Sequence, residues 1–287
     1  MTDFAIPTNT DFLAESLRFL RTCEAHCSCR DGWHFVWSAF KASGRRRSVY
    51  YQQPLLQQLL APAVPAVRNV LIAGSADAGI LSVLASVFGD KVRYVAFDLC
   101  NAPLVEMRQY AREHGLDLTC SQASLLDYHP QETFDLIFVH NTLCFLGPAD
   151  ALTVLQRYAR HMHAGSWLAC GMRYEQHPVG LDASAAAELA RDIRQMIPDT
   201  YAGHADLIAL IEPHVEAYSE VRCAPSRHRY APAQFEAMCS SAGLVAVDSY
   251  TDERTPTGVL NIGLANSDIR SDVYLLQRQT GFTDPVA

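Results

Sequence analysis

The sequence predicts an α/β protein with a doubly wound, mostly parallel sheet that follows a helical N-terminal segment. Two observations carry this prediction. From about residue 66 onward, short apolar runs alternate with helix-like stretches, which is the pattern of a βαβα fold. Before that point, apolar residues recur at three- and four-residue steps, which is typical of amphipathic helices.

Residues 1–65 are predicted to form a helical cap. Helices are expected over about 11–27, 33–40 and 54–60. The alanine- and proline-rich run 61–65 then breaks the helical pattern, so we place a boundary there.

Residues 66–287 are predicted to form one Rossmann-like domain. Buried strands are expected at 70–73, 92–97, 134–139, 166–170, 244–250 and 273–277, and helices near 78–88, 102–114, 149–162 and 231–242. A helical insert is expected at about 176–228. The two strands after this insert fit a seven-stranded sheet whose last strand is antiparallel.

The composition narrows the classes of partner. The formal net charge is -8, with 23 Lys and Arg against 31 Asp and Glu, which argues against nucleic-acid binding. No signal peptide or apolar run long enough to span a bilayer is evident, so we expect a cytoplasmic protein without a membrane partner. The nine cysteines are interpreted as buried thiols in a reducing compartment.

The strongest motif is an apolar strand that runs into a turn of small residues at Gly74, Ser75 and Ala76. Such a turn lets the backbone approach a ligand closely, although any tight strand-to-helix turn also favours small residues. Asp98 ends the next strand, 24 positions after Gly74, where a carboxylate can accept both hydroxyl protons of a ribose. Asp98 could instead cap the following helix, but the combination predicts a nucleoside site.

Polar residues follow two further strands. His140 and Asn141 come after the strand at 134–139, and Tyr174 lies just beyond the strand at 166–170. Open α/β sheets bind ligands at the carboxyl ends of such strands. The alternatives are a turn-capping asparagine and a partly buried core phenol.

In these features the chain resembles the class I S-adenosylmethionine (SAM)-dependent methyltransferases, over about residues 66–175 and 230–278. The resemblance implies their fold and SAM as the cofactor. The cofactor-binding residues that it implies are Gly74, Ser75 and Ala76 in the glycine-rich motif, Asp98 and Leu99 at the ribose, Ser124 and Leu125 at the adenine, and Asn141 at the methionyl moiety. The chain departs from the family at Ile72, where an acidic residue is usual, and at Ala76 and Ala78, where glycines are usual.

The cap contributes two further predictions. Tyr50 and Tyr51 are expected to shelter the sulfonium of SAM by cation–π contact. Metal-ligating residue types also cluster in the cap, at Cys23, His26, Cys27, Cys29 and His34. They lack the paired Cys-x2-Cys spacing of structural zinc sites, so we expect no metal and interpret the cysteines as small core side chains.

Three functions remain open at this point. The first is methyl transfer from SAM to a small molecule, with His140 or Tyr174 as the general base. The second is cyclisation of SAM's aminobutyryl arm, because the chain is also similar to the azetidine-2-carboxylate synthases. Asn141 and Tyr174 would then orient the neutral α-amine towards the γ-carbon, and the aromatic cap that carries Tyr50 would stabilise the sulfonium. The third is a SAM-binding module without catalysis. Spacing alone does not separate the first two.

Overall fold

The computed structural model describes residues 9–44, 49–175, 183–223, 230–252 and 269–279. Seven strands form one sheet: β1 Asn69–Ala73, β2 Arg93–Asp98, β3 Asp117–Gln122, β4 Phe134–His140, β5 Met162–Glu175, β6 Leu244–Asp252 and β7 Ile269–Arg278. Their order across the sheet is β3-β2-β1-β4-β5-β7-β6. β7 runs antiparallel to both of its neighbours, and the other pairs are parallel. The predicted doubly wound seven-stranded sheet is therefore confirmed.

Ten α-helices occur in the described ranges. They are α1 Asn9–His26, α2 Trp33–Ala42, α3 Gln53–Leu60, α4 Gly79–Phe88, α5 Asn101–His114, α6 Pro148–Arg160, α7 Ala183–Thr200, α8 Ala205–Ile211, α9 Val215–Cys223 and α10 Pro232–Ser241. None of the helices in these ranges combines the length and hydrophobicity needed to cross a bilayer.

The sheet is buried on both faces, which explains why its central strands are continuous apolar runs. α3, α4 and α5 pack on one face with alternate strand residues such as Ile72 and Phe138. α6 and α10 cover the other face, where Leu71 and Val139 lie. The two helical layers leave the carboxyl edge of the parallel strands for other elements to cover.

A third apolar cluster joins the cap to the insert. Phe19 and Phe40, from α1 and α2, pack in the same core as Ile193, Tyr201 and Tyr218 from α7, the turn that follows it, and α9. Ser16 Oγ also lies 2.5 Å from the hydroxyl oxygen of Tyr201, within hydrogen-bond distance. The two helical segments that the sequence separates by more than 100 residues therefore form one layer.

One strand is absent from the prediction, and two, β5 and β7, are several residues longer than predicted. β3 carries the polar sequence Asp-Leu-Thr-Cys-Ser-Gln and lies at the edge of the sheet, where three of its side chains are half-buried and three are exposed. An edge strand needs no continuous apolar run, which removes the signal that predicted the others. β5 extends to Glu175 because β7 pairs with it beyond the end of β4.

Candidate functional site

The site lies where the strand order reverses, between β1 and β4. Gly74 follows β1 and Thr142 follows β4. A Cβ atom on Gly74, which has φ +80°, would lie only 2.6 Å from Thr142 Cγ2, so this position needs glycine. Ligands of doubly wound sheets bind at this reversal, outside the carboxyl ends of the strands.

Asp98 is held at the end of β2 by two backbone donors. Its Oδ2 accepts a hydrogen bond from the N–H of Ser75 at 2.9 Å, and its Oδ1 accepts from the N–H of Cys100 at 2.7 Å. Burial raises the pKa of Asp98, and these two hydrogen bonds oppose the rise. The next side chain, Leu99, is 70% exposed and offers an apolar surface beside the carboxylate. The structure thus brings Gly74, Ser75 and Asp98 together, as the sequence predicts, with Ala76 half-buried in the same turn.

A side chain of α6 holds the loop that follows β3. Arg157 donates to the backbone carbonyl oxygens of Leu125, Leu126 and Tyr128 at 3.1, 2.7 and 3.1 Å. Ser124 Oγ donates to Asp127 Oδ2 at 2.5 Å, and the Ala123 N–H donates to the Asp98 carbonyl oxygen at 2.9 Å. The predicted adenine loop therefore begins directly beside Asp98.

Asn141 has two unusual features. Its φ is +56°, and it is the one non-glycine residue with a positive φ in the described ranges. Its side-chain Oδ1 is buried and has no hydrogen-bond partner among the residues that the structure describes. A buried acceptor without a donor costs about 1–3 kcal/mol, so both features point to a ligand. The sequence predicts the position but neither feature.

His140 is oriented by a residue of the cap. Its Nε2 lies 2.7 Å from Gln52 Oε1, and because an amide oxygen can only accept, this contact assigns the proton to Nε2. The amide nitrogen of Asn141 lies 3.3 Å from His140 Nδ1 and can donate to it. The ring packs against Gly171, where a Cβ would lie 2.4 Å from His140 Cδ2.

Tyr174 is placed away from this pair. Alternate β5 residues share a face of the sheet, so Tyr174 belongs with Cys170 and Met172 in the core cluster under α6 and α10. Its hydroxyl donates to Tyr274 at 3.1 Å, and burial raises its pKa. The predicted grouping of Tyr174 with His140 is therefore not found, because the two side chains lie on opposite faces of the sheet.

The cap carries aromatic residues that the sequence analysis missed. α2 presents Trp33, Trp37 and Lys41 at four-residue intervals, so they share one face. The Trp33 ring lies 5.6 Å from the Phe145 ring after β4, and the Trp37 and Lys41 side chains donate to Asp77 after β1. α2 therefore lies across the site. The four-residue spacing of these side chains is the signal that the sequence offers, but the same spacing is typical of a helix face that packs in a core.

Tyr50 and Tyr51 lie in a short 3-10 helix, Val49–Gln52. The contact of Gln52 with His140 brings this segment to the exit of β4. The side chains of the two tyrosines lie outside the described part of the structure, so their predicted role at the sulfonium stays a prediction.

A buried ion pair joins the cap to the glycine-rich turn. Lys41 Nζ lies 2.8 Å from Asp77 Oδ2 and 2.7 Å from Glu15 Oε2, and the side chains of Lys41 and Asp77 are 6% and 7% exposed. Burial opposes ionisation of Asp77, but Lys41 and the Gly79 N–H outweigh it, so the pKa of Asp77 lies below its ordinary value. Asp77 therefore stays ionised and paired with Lys41.

The same network leaves Glu106 poorly placed for ionisation. Burial and the negative charge of Asp77 raise the pKa of Glu106 from 4.5 to about 7, although Lys41 and the Ala78 N–H lower it and Glu15 adds to the rise. An acid whose pKa is raised on folding binds more protons in the folded state, so stability falls as the pH rises from about 4.5 to about 7.

We therefore expect Glu106→Gln to raise the free energy of unfolding above pH 7, by on the order of 2 kcal/mol at about pH 8. Glutamine still accepts the Ala78 hydrogen bond but carries no charge. Urea unfolding at about pH 8 and pH 5 measures the effect, which should shrink at the lower pH. Glu113→Gln, on the exposed side of the same helix, is the control. Equal gains at both pH values would contradict the prediction.

The cysteines of the cap are not placed as the sequence analysis expected. α1 ends at His26, so Cys27 and Cys29 lie beyond the helix and are only half-buried. Their sulfur atoms meet the Nδ1 atom of His34 and the sulfur of Cys100, and these four atoms all lie within 4.8 Å of one another. Cys23 alone behaves as predicted, as a buried core side chain.

Comparisons with known proteins show which proteins the chain resembles. Residues 70–165 match a protein family described as "Methyltransferase domain". No curated protein matches the sequence.

Solved structures of methyltransferases resemble the chain over most of its length. A SAM-dependent methyltransferase from Clostridium acetobutylicum superposes with a TM-score of 0.54 at 10% identity, covering 84% of this chain and 96% of that one. A SAM-dependent methyltransferase from Leishmania major gives 0.51 at 12% identity, covering 96% and 87%. Geranyl diphosphate methyltransferase in complex with SAM gives 0.51 at 14% identity, covering 79% and 84%.

At these identities the structural likeness establishes the fold. The comparisons do not support the more specific resemblance to azetidine-2-carboxylate synthases. The domain match and the strand order together confirm the resemblance inferred from the sequence: residues 70–165 match a methyltransferase domain, and the chain has the class I SAM-dependent methyltransferase fold.

Proposed function

We propose that this protein binds SAM at the reversal between β1 and β4 and transfers its methyl group to a small molecule. The observation that carries the proposal is the coincidence of Gly74, Asp98 and Asn141 at this edge of the sheet. The domain match and the SAM complex of a structurally similar methyltransferase support SAM as the cofactor.

The residues present fit each part of SAM. Asp98 keeps lone pairs for the ribose hydroxyls, because its two backbone donors occupy one site on each oxygen. Leu99 offers apolar surface to the adenine beside the loop at Ser124. Gly74, with φ +80°, keeps the turn after β1 tight against Thr142, and the backbone of this turn borders the space for the methionyl part. The face of α2 that carries Trp37 lies across the same edge and supplies an aromatic surface for the sulfonium.

Asn141 Oδ1 is assigned to the ammonium group of the methionyl moiety. It is a buried acceptor to which no residue in the described ranges donates, and an ammonium supplies donors only. The strained backbone at Asn141 is held by its N–H, which donates to the Gly171 carbonyl oxygen at 2.8 Å. His140 also holds the Asn141 side chain in place, because its Nδ1 accepts a hydrogen bond from the amide nitrogen of that side chain.

Bound SAM supplies an electrophilic methyl group, which a nucleophilic atom of the acceptor takes by in-line displacement. The chain's contribution is orientation and exclusion of water. α2 and the insert helices pack together as one layer beside the site, which favours a small acceptor over a macromolecule. His140 Nδ1, the unprotonated nitrogen of the ring, already accepts a hydrogen bond from the Asn141 amide, so in this geometry His140 orients Asn141 and its lone pair is not available to take a proton from the acceptor.

The role of Asn141 can be separated from its backbone strain. Asn141→Gly removes the amide, yet glycine adopts φ +56° at no cost, so the fold should be retained. We expect SAM affinity to fall about tenfold, the value of one hydrogen bond to a charged group, measured by isothermal titration calorimetry. Asn141→Asp keeps an oxygen for the ammonium and should bind SAM at least as well as the unchanged protein. Unchanged affinity in Asn141→Gly would refute the assignment.

A further inference from the structure

Four metal-ligating side chains converge between the cap and the sheet, outside the proposed SAM site. The Sγ atoms of Cys27 and Cys29 lie 3.6 and 3.9 Å from that of Cys100. His34 Nδ1 lies 3.6 Å from Cys27 Sγ and 2.7 Å from Cys29 Sγ, and the two cap sulfurs are 2.9 Å apart. The ligand atoms come from three places: the end of α1, the start of α2 and the turn after β2.

These separations match a tetrahedral metal site. With bonds of about 2.3 Å to sulfur and about 2.0 Å to nitrogen, zinc places ligand atoms about 3.5 to 3.8 Å apart. Three of the five distances, 3.6, 3.6 and 3.9 Å, already lie in or close to this range. The two short ones both involve Cys29, so an outward shift of about 1 Å by that one sulfur completes the tetrahedron.

The surroundings also fit a metal site better than the alternatives. Every sulfur pair is far longer than the about 2.05 Å of a disulfide. His34 is 5% exposed and Cys100 is 3% exposed, so two of the four ligands are buried. They come from different parts of the chain, so their burial is not explained by the apolar face of a single helix. The N–H of Ser28 lies 3.4 Å from Cys100 Sγ, a backbone donor of the kind that stabilises metal-bound thiolates.

We propose that Cys27, Cys29, His34 and Cys100 bind one zinc ion, which ties the cap to the turn after β2. Three thiols release their protons on binding and the imidazole stays neutral, which leaves one net negative charge on the site. All four positions are filled by the protein, so the ion has a structural role and no open position for a substrate.

The position of the ion connects it to the nucleoside site. Cys100 donates its backbone N–H to Asp98, so a metal bound to its side chain fixes the loop that carries the ribose-binding carboxylate. This consequence, unlike the site itself, rests on the proposed function. Loss of the metal is expected to weaken SAM binding as well as lower the melting temperature.

The test begins with metal analysis of the reduced, full-length protein. We expect one zinc per chain after gel filtration or, if zinc was lost during purification, after titration with zinc chloride. Cys100→Ser is expected to bind zinc at least about 100-fold more weakly. Cys120→Ser, which changes a thiol on β3 outside the cluster, should keep the ion.

A second measurement needs no variant. Cobalt(II) added to the metal-free protein should give the visible bands and sulfur charge-transfer absorption of a tetrahedral thiolate site, and zinc should displace it. Absence of both zinc binding and the cobalt spectrum would overturn the proposal, as would binding that Cys100→Ser leaves unchanged. Neither readout involves SAM, so failure here is distinguishable from failure of the proposed function.

Discussion

Asp98→Ala is expected to weaken SAM binding by at least about 100-fold. Two ribose hydroxyls lose a shared charged acceptor, and each such hydrogen bond contributes about 1.5 to 3 kcal/mol. The substitution also frees the N–H groups of Ser75 and Cys100, so the two turns that border the site lose their common anchor. Isothermal titration calorimetry with SAM and with S-adenosylhomocysteine measures the effect directly.

The matched control is Asp117→Ala. Asp117 begins β3, the neighbouring strand, but it lies at the amino end of the parallel sheet and is exposed. Its removal should leave SAM affinity unchanged, and melting temperatures of both variants show whether either has lost its fold. Equal affinities in the two variants would mean that the nucleoside binds elsewhere.

Lys41→Met is expected to lower the free energy of unfolding by about 3 to 5 kcal/mol, the usual cost of removing one partner from a buried ion pair. Asp77 is 5% exposed and would be left charged beside Glu106, without the ammonium that stabilises it. Urea unfolding monitored by circular dichroism gives the value. Lys91→Met, at an exposed position before β2, should stay within about 0.5 kcal/mol of the unchanged protein.

A double variant shows whether the lost stability comes from the unpaired charge. Asp77→Asn keeps the acceptor for the Gly79 N–H but removes the negative charge. Combined with Lys41→Met, it should recover part of the loss, so the two effects should be non-additive. A double variant as unstable as the sum of the single ones would show that Lys41 stabilises the fold by packing rather than by its charge.

The parallel core of the sheet could be predicted because its strands are buried on both faces. β1, β2 and β4 are continuous apolar runs, and each was predicted within one residue of its observed ends. β3 was not predicted because an edge strand that is only half-buried does not need a continuous apolar run. The helices outside the insert were predicted within about two residues, since their apolar positions recur with the helical period, whereas the insert was predicted as helical without the bounds of α7, α8 and α9.

The site could be predicted only where its residues follow strand ends. Gly74, Asp98 and Asn141 were found this way, because the carboxyl ends of parallel strands meet at one edge. Tyr174 lies on the far face because side chains alternate along β5, and a strand predicted to end at residue 170 does not extend that alternation to Tyr174. By contrast, nothing local in the sequence indicates the pairing of Lys41 with Asp77 or of Cys29 with Cys100, since these contacts depend on where the cap lies.

The most direct test of methyl transfer is incubation of the purified protein with methyl-labelled SAM, followed by mass spectrometry of every product. Without an acceptor, SAM should remain intact above the enzyme-free background. With a panel of small amines, alcohols and carboxylic acids, S-adenosylhomocysteine should form together with one labelled product. Formation of methylthioadenosine and a four-carbon amino acid from SAM alone would contradict methyl transfer and show that the enzyme cleaves the aminobutyryl arm.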